Sequence, residues 1–304
     1  MGQKRTGFSS LPDQRPIPRG HQIATGFPKS RQRLKSPLAL ELGSNLFCSV
    51  PVAPLRSEPS HRSEQVSQGL WGEQFTLLAH EPSWFHVQSV IDGYTGWISE
   101  RQCLVHSDTI EDDSPRVCSD WALVQTPSPG PVRCLSMGSI LRPFLGSADD
   151  SLIRGASSLI CDQKPNPQTV LERGMAWLGT PYLWGGRSRF GVDCSGLVQV
   201  LWGSVGVALP RDASQQHSLA PFCYDLADPR AWQAGHLAFF SENSDRITHV
   251  GLLTGDGRIL HASGEVRLDP VNNEGIQPVD NRPTHPHRLV GIASYYTPSL
   301  HLAF

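Results

Sequence analysis

The chain has 304 residues, of which 38% are hydrophobic and 18% are charged, as is typical of a globular protein with a buried core. The formal net charge of −2 provides no general attraction to nucleic acid, so we expect no nucleic-acid partner. No apolar run reaches the roughly 20 residues that a membrane-spanning helix needs, so we also expect no membrane span.

The first 36 residues differ from the rest of the chain in charge. They contain eight Lys and Arg residues but one acidic residue, Asp13, and they are rich in Pro, Gly and Ser. This composition predicts a disordered basic tail over residues 1–36. The tail lacks the apolar segment of a signal peptide, which favours a cytoplasmic protein. If the start codon is placed too early, an exported protein is the alternative.

The seven cysteines are odd in number, and none belongs to a Cys-x-x-Cys pair. This pattern argues against a disulfide framework and a structural zinc site, and it favours free thiols in a reducing compartment. Six of the cysteines are interpreted as small buried apolar residues. Cys194 is the exception. We expect no metal and no cofactor.

Residues 37–106 predict short strands, because aromatic and β-branched residues alternate between turn signals. Asp92-Gly93 lies between two such strands and indicates a hairpin turn. Several strands in so short a segment predict a small β-barrel, and the pattern resembles the bacterial SH3-like domain. Residues 107–163 are interpreted as a degenerate second SH3-like barrel or a linker.

A second kind of pattern begins after residue 163. Asn166 and Pro167 predict the start of a helix that continues to Gly179. Strands are predicted at GHLAFFS, HVGLLTG, RILHAS and LVGIASYY, which begin at residues 235, 249, 258 and 289. Residues 164–298 are therefore predicted to form one α+β domain.

Cys194 stands in the turn GVDCSG, immediately before the apolar helical pattern of residues 197–202. A cysteine at a helix start faces unpaired N–H groups and the positive end of the helix dipole. Both stabilise a thiolate, and the same N–H groups can hold an oxyanion. The position therefore predicts a nucleophile.

Two histidines, His249 and His261, lie in apolar strand patterns and are candidates for the base that a cysteine nucleophile needs. The segment between them, Gly255-Asp256-Gly257, predicts a hairpin. A three-residue loop places residue 251 opposite His261, with His249 as its diagonal neighbour on the same face. A two-residue turn would place the two rings on opposite faces. The catalytic interpretation therefore requires the longer loop.

The segment TPYLWGGRSRFGVDCSGLVQVLWGSVGVALPRDASQQ, followed by GHLAFF, ITHVGLL and GRILHAS, resembles the NlpC-type cell-wall cysteine peptidases of the papain-like clan. The resemblance implies that Cys194 is the nucleophile, His249 the general base and His261 the third, polarising residue. It also implies that five side chains line the substrate groove: Tyr182, Trp184, Asp193, Arg211 and Ser214. One departure is His236, which stands where relatives usually have Asp and raises a question about local packing.

An SH3-like domain before such a catalytic domain resembles murein-peptide endopeptidases that cut between γ-D-glutamate and a diamino acid. The resemblance implies that the barrel covers one end of the groove, so that a stem peptide with a free N-terminal L-Ala fits. Asp193 is the candidate partner of that ammonium group, with Glu58 and Tyr94 contributed by the barrel. Ser195, which follows the nucleophile, is a further candidate contact. Three of these residues also have a simpler structural interpretation: Asp193 as a helix cap, Glu58 as a solvated charge and Tyr94 as a packing residue of its own hairpin.

The sequence thus predicts an α+β, papain-like NlpC-type peptidase preceded by one or two all-β SH3-like barrels, with peptidoglycan stem peptides as its partners. The alternatives are a non-catalytic wall-binding protein, and an amidase or acyltransferase that uses the same site. Metal binding by the cysteine and the two histidines is chemically possible, but a cysteine at a helix start argues against it. The pattern leaves open whether the diamino acid is diaminopimelate or lysine.

Overall fold

The structure, a computed structural model, describes residues 40–105, 116–125, 131–141, 153–154, 166–242, 246–279 and 287–296. The tail predicted over residues 1–36 lies outside them. The described residues from Glu41 onward form one unit. Within the described part of the chain, no helix is long and apolar enough to cross a membrane.

Seven short strands form one sheet near the beginning of the described chain. Their bounds are Asn45–Cys48 (β1), Val52–Arg56 (β2), Gln65–Leu70 (β3), Gln74–Glu81 (β4), Trp84–Ser89 (β5), Thr95–Ser99 (β6) and Cys103–Val105 (β7). The sheet is antiparallel, in the order β3-β2-β6-β5-β4-β1-β7. Alternate residues such as Leu55, Leu77 and Val87 are buried, as expected for a sheet with one apolar face. We call residues 45–105 the β-domain.

The predicted hairpin at Asp92-Gly93 is confirmed, since this turn joins β5 to β6. The Asp92 carboxylate accepts a hydrogen bond from the backbone N–H of Tyr94 at 3.0 Å. Such side-chain-to-backbone bonds stabilise tight turns. The turn therefore fixes the position from which Tyr94 projects.

A three-stranded antiparallel sheet follows, and it is what the structure describes of the segment 107–163. Its strands are Trp121–Gln125 (β8), Val132–Ser136 (β9) and Ile153–Arg154 (β10), in the order β10-β8-β9. Its apolar side chains pack with Trp71 of the β-domain. Met137, which directly follows β9, belongs to the core of the following domain. This sheet therefore contacts both neighbours. The remainder of the predicted second barrel lies outside the described residues.

The first helix, α1 (Pro167–Met175), begins as predicted: Asn166 caps it by accepting a hydrogen bond from Gln168 N–H at 2.9 Å. It does not continue to Gly179. After Met175 the backbone tightens into turns, in which Trp177 N–H bonds to Gly174 O. These turns bury the Trp177 side chain completely, and this burial explains why the helix is shorter than the apolar pattern predicts.

A six-stranded antiparallel sheet forms the centre of the last domain. Two strands of two residues precede it, Arg187–Ser188 (β11) and Gly191–Val192 (β12). Two helices follow them, α2 (Cys194–Gly203) and α3 (Ala213–Ser218). The strands of the sheet are Phe222–Tyr224 (β13), Leu237–Ser241 (β14), His249–Leu253 (β15), Arg258–Ser263 (β16), Glu265–Pro270 (β17) and Arg288–Ser294 (β18). The order is β13-β18-β14-β15-β16-β17. The four predicted strands are confirmed, and the sequence missed β13 and β17.

The central strands of this sheet are buried on both faces. Leu237 and Phe239 of β14 belong to the core that packs against α2. Their neighbours Ala238 and Phe240 belong to a second apolar cluster. Because successive side chains of a strand point to opposite faces, the continuous apolar run of β14 fills both cores.

The prediction that all the cysteines are free thiols is wrong for Cys118, which takes part in a disulfide. Sequence spacing did not indicate it, because a disulfide depends on spatial proximity. Five other cysteines are free. Of these, Cys48, Cys103 and Cys194 are buried, whereas Cys223 is exposed rather than a core residue.

A buried ion pair joins the β-domain to the last domain. Arg187 Nη1 lies 3.0 Å from Glu73 Oε2, and both side chains are almost completely buried. The same guanidinium donates to the backbone oxygen of Gln68 at 2.7 Å. Charges in such a setting need partners, because an isolated buried charge is costly.

We expect Glu73→Gln to lower the free energy of unfolding by about 3–5 kcal/mol, because it leaves the Arg187 charge buried without its counter-ion. Urea unfolding followed by fluorescence measures this loss. The control is Asp256→Asn, which removes the carboxylate of an ion pair with Arg258 whose side chains are about half exposed and should change stability little. A Glu73→Gln variant with wild-type stability would contradict the prediction.

Candidate active site

Cys194 is the first residue of α2, as predicted. Asp193 caps this helix, since its Oδ1 accepts a hydrogen bond from Gly196 N–H at 2.7 Å. A Cβ at Gly196 would lie 2.1 Å from Gly186 O, so only glycine lets the first helical turn pack this closely against the preceding loop. The Val250 N–H donates a hydrogen bond to the Cys194 sulfur. The nucleophile candidate therefore lies against the start of β15.

The two histidines lie on one face of a hairpin. Thr254 N–H bonds to Arg258 O at 3.0 Å, so Gly255, Asp256 and Gly257 are all loop. Gly257 has φ +81°, a conformation that favours glycine. The register pairs Gly251 with His261. This confirms the three-residue loop that the catalytic interpretation requires.

The rings form a buried hydrogen-bonded chain. His249 Nε2 lies 2.9 Å from His261 Nδ1, and His261 Nε2 lies 3.0 Å from Asp269 Oδ2. Asp269 belongs to β17 and is not among the site residues predicted from the sequence. A third ring, His287, stacks on His249 with centroids 4.3 Å apart. Since Nε2 of His249 is engaged by His261, Nδ1 is the ring nitrogen that can serve as a base.

The resting charge state differs from the sequence expectation of a thiolate. Burial, followed by the nearby Asp193 charge, raises the pKa of the Cys194 thiol to about 12. Burial, followed by the two neighbouring imidazoles, lowers the pKa of His249 well below its usual value. Desolvation thus disfavours both charged forms. The pair rests as thiol and neutral imidazole.

Asp193, the predicted partner of an ammonium group, is engaged in a buried ion pair with Arg211. Its Oδ2 lies 2.5 Å from Arg211 Nη2 and accepts from Gly185 N–H at 2.9 Å. Arg211 also donates to Ser195 Oγ at 2.9 Å. Ser195 and Arg211 are both buried and accordingly act as supports beneath the helix start.

Cys194 and His249 line one cavity of about 760 Å³. All the predicted groove residues of the last domain line it: Tyr182, Trp184, Asp193, Ser195, Arg211 and Ser214. Burial raises the pKa of Tyr182, so its hydroxyl stays protonated and can donate a hydrogen bond. The cavity therefore combines a thiol, a base and a neutral donor.

The β-domain supplies one wall of the cavity, as expected, but only one of its two predicted residues is there. Tyr94 lines the cavity, and its hydroxyl hydrogen-bonds to Asp212. Glu58 is not among the residues that line the cavity. The wall carries Glu64 instead, whose Oε1 accepts a hydrogen bond from Trp184 Nε1 at 2.6 Å. Glu58 lies in the bend before β3, whereas Glu64 directly precedes that strand.

His236 is accommodated without disturbing the sheet. Its Nδ1 lies 2.8 Å from the backbone oxygen of Ala231, and its ring stacks on Tyr224 with centroids 4.7 Å apart. His236 is therefore held by local contacts directly before β14.

Four residues of the site were not identified from the sequence: Glu64, Asp212, Asp269 and His287. A signal existed for Asp269, because extending the hairpin register through β17 pairs His261 with Arg267 and makes Asp269 the diagonal neighbour. The other three come from segments whose docking the local pattern does not determine.

Comparison with known proteins agrees with this geometry. Residues 179–284 match the NlpC/P60 family, and residues 55–102 match the bacterial dipeptidyl-peptidase Sh3 domain. The chain is 30% identical over 217 residues to the gamma-D-glutamyl-L-lysine dipeptidyl-peptidase of Bacillus subtilis, covering 64% of this chain and 71% of that protein.

The chain belongs to the NlpC/P60 family.

A second relative, the gamma-D-glutamyl-L-lysine dipeptidyl-peptidase of Bacillus cereus, is 25% identical over 244 residues, covering 69% of this chain and 71% of the relative. The crystal structure of an NlpC/P60 family protein from Bacillus cereus superposes with a TM-score of 0.64 at 20% identity, covering 83% of this chain and 99% of that one. These likenesses confirm the α+β fold with its SH3-like domain and identify the chain as a cysteine peptidase.

We expect the acid limb of kcat/KM for peptide cleavage to lie below pH 6.5, the ordinary pKa of histidine. The base must be neutral to accept a proton, and His249, which is buried beside His261 and His287, has a lowered pKa and stays neutral as the pH falls. A pH profile of kcat/KM tests this. An acid limb at or above the ordinary value would contradict it.

Proposed function

We propose that this NlpC/P60 peptidase hydrolyses the bond between γ-D-glutamate and the diamino acid of peptidoglycan stem peptides that carry a free N-terminal L-Ala. The observation that carries the proposal is the composite cavity, in which Cys194 and His249 share a site with a wall of the β-domain. The names of the two Bacillus relatives support the choice of bond.

The chemistry is acyl transfer. The Cys194 sulfur attacks the γ-carbonyl carbon of D-glutamate while its proton passes to His249 Nδ1. The oxyanion is held by the Cys194 N–H at the helix start and by the Tyr182 hydroxyl. His249 then returns the proton to the leaving amine as the C–N bond breaks.

Hydrolysis of the thioester completes the cycle. Water attacks the acyl carbon and gives a proton to His249, and that proton returns to the sulfur as the C–S bond breaks. The raised pKa of the thiol fits a mechanism in which deprotonation accompanies attack.

Two carboxylates on the β-domain side of the cavity, Glu64 and Asp212, support the proposed selection of a free amine. Glu64 lies at the cavity edge contributed by the β-domain, where Trp184 N–H orients it. Asp212 stands on the same side, hydrogen-bonded to Tyr94. Because the Asp193 charge is paired with Arg211, Glu64 is the carboxylate that we assign to the L-Ala ammonium group.

A non-catalytic wall-binding protein and an amidase or acyltransferase remain the competing functions. A binding protein retains purified peptidoglycan without releasing product. An amidase or acyltransferase yields fragments of different mass. Mass spectrometry of the products distinguishes all three.

We expect Cys194→Ala to reduce turnover of L-Ala-γ-D-Glu-diaminopimelate by at least about 10³-fold, because the acyl intermediate cannot form. The matched control is Cys223→Ala, which removes an exposed free thiol outside the cavity and should leave turnover unchanged. Retained turnover in Cys194→Ala would rule out the proposed nucleophile.

We expect Glu64→Gln to reduce kcat/KM for the free-amine peptide by about tenfold, the loss of one charge-assisted contact at an exposed site. Acetylating the L-Ala amine of the substrate should also lower kcat/KM. With the acetylated peptide, Glu64→Gln should cause no further loss of kcat/KM. Glu58→Gln, at the other glutamate of the same stretch, is the control. Equal cleavage of free and acetylated peptides would refute the role of the wall.

A further inference from the structure

Asp269 is a buried carboxylate on the strand next to the two histidines, and the steps of the proposed mechanism make no use of it. Only 1% of its surface is exposed. Because β16 pairs His261 with Arg267, Asp269 lies diagonally across from His261 on the same face. Its Oδ2 is 3.0 Å from His261 Nε2. The carboxylate does not line the cavity that contains Cys194.

Hydrogen bonds from the Arg267 guanidinium and the His261 ring keep this carboxylate ionised. Arg267 Nε lies 2.8 Å from Oδ2, and Arg267 Nη2 donates to Oδ1 at 2.9 Å. Burial raises the pKa of Asp269, but the hydrogen bonds from His261 and Arg267 outweigh it and lower the pKa to about 2. An ionised carboxylate can only accept hydrogen bonds.

The proton positions follow from this restriction. His261 must carry its proton on Nε2 in order to donate to Asp269. In the neutral ring, Nδ1 is then an acceptor. The 2.9 Å contact between His261 Nδ1 and His249 Nε2 therefore requires a proton on His249 Nε2. Nδ1 of His249 is left with a bare lone pair.

We propose that Asp269 is a positioning residue that sets the tautomers of both histidines through this hydrogen-bonded chain, so that His249 presents an unprotonated Nδ1 to the thiol. The inference rests on the proposed function for the identity of the base. The tautomers themselves are independent of any activity.

The chain also stabilises the charge that develops during attack. When the thiol proton reaches His249 Nδ1, the ring becomes a cation whose Nε2–H donates to His261 Nδ1. The carboxylate of Asp269 lies at the far end of that chain and favours the cation electrostatically. The arrangement has the logic of a catalytic triad, with one more imidazole between the base and the carboxylate.

The direct test is ¹⁵N NMR of the full-length wild-type protein labelled at histidine. The His249 and His261 signals are assigned by comparison with His249→Gln and His261→Gln variants. We expect the Nε2 atom of both rings to carry a proton and Nδ1 of His249 to carry none. A wild-type His261 protonated at Nδ1 would overturn the proposal, whatever the variants do.

The second test is Asp269→Asn. The amide can donate to His261 Nε2 and so favours the opposite tautomer. We expect kcat to fall by about 10- to 100-fold with KM little changed, and the Nε2–H signature of His249 to be lost. Asp269→Glu, which keeps the acceptor, should restore the tautomer and part of kcat. Asp256→Asn, at the exposed carboxylate paired with Arg258, is the matched control.

The outcomes separate this inference from the proposed function. Wild-type kcat and unchanged tautomers in Asp269→Asn would overturn the positioning role while leaving the peptidase intact. Conversely, Nε2–H tautomers in a protein that cleaves no stem peptide would support the role of Asp269 and refute the proposed substrate. If Asp269→Asn does not fold, the wild-type NMR measurement decides.

Discussion

The ion pair between Asp193 and Arg211 is the interaction on which the position of Cys194, the proposed nucleophile, depends. One carboxylate oxygen caps the helix that begins at Cys194, and the other binds Gly185 N–H in the preceding loop. The guanidinium reaches Ser67 Oγ in the β-domain at 3.1 Å. Because both charges are buried, loss of either would leave the other uncompensated. A single charged contact thus joins the helix start, the loop before it and the neighbouring domain.

The β-domain is therefore part of the site itself. It supplies a wall of the cavity, and its hairpin turn at Asp92 accepts a hydrogen bond from Gln199 of the nucleophile helix at 2.8 Å. The Glu73–Arg187 pair fixes the two domains at a second point. Polar contacts of this kind tolerate little displacement, because a buried group that loses its partner is costly. In the proposed function, selectivity and catalysis consequently depend on the same domain interface.

Much of this arrangement could be predicted from the sequence where the signal is local. The Gly-Asp-Gly loop set the register that brings His249 and His261 together, and the capping pattern located Cys194 at a helix start. The sequence could not distinguish Glu64 from Glu58, because both stand in one polar stretch and only domain docking decides which faces the cavity. Nor could the sequence show that Arg211 forms an ion pair with Asp193, since that pairing depends on a loop that returns beneath the helix. Nor did the helix-start pattern reveal how deeply the thiol is buried, and that burial raises the pKa of Cys194.

The protonated state of the buried thiol has a consequence for the survival of the enzyme under oxidative conditions. Peroxides and alkylating agents attack thiolates, and a cysteine held as a thiol reacts with them slowly. Cys194 is only 7% exposed, which adds a steric barrier. If Cys194 becomes anionic only as it attacks its substrate, as in the proposed mechanism, it is shielded from sulfenic acid formation between turnovers. The burial that makes its ionisation difficult is thus also its protection.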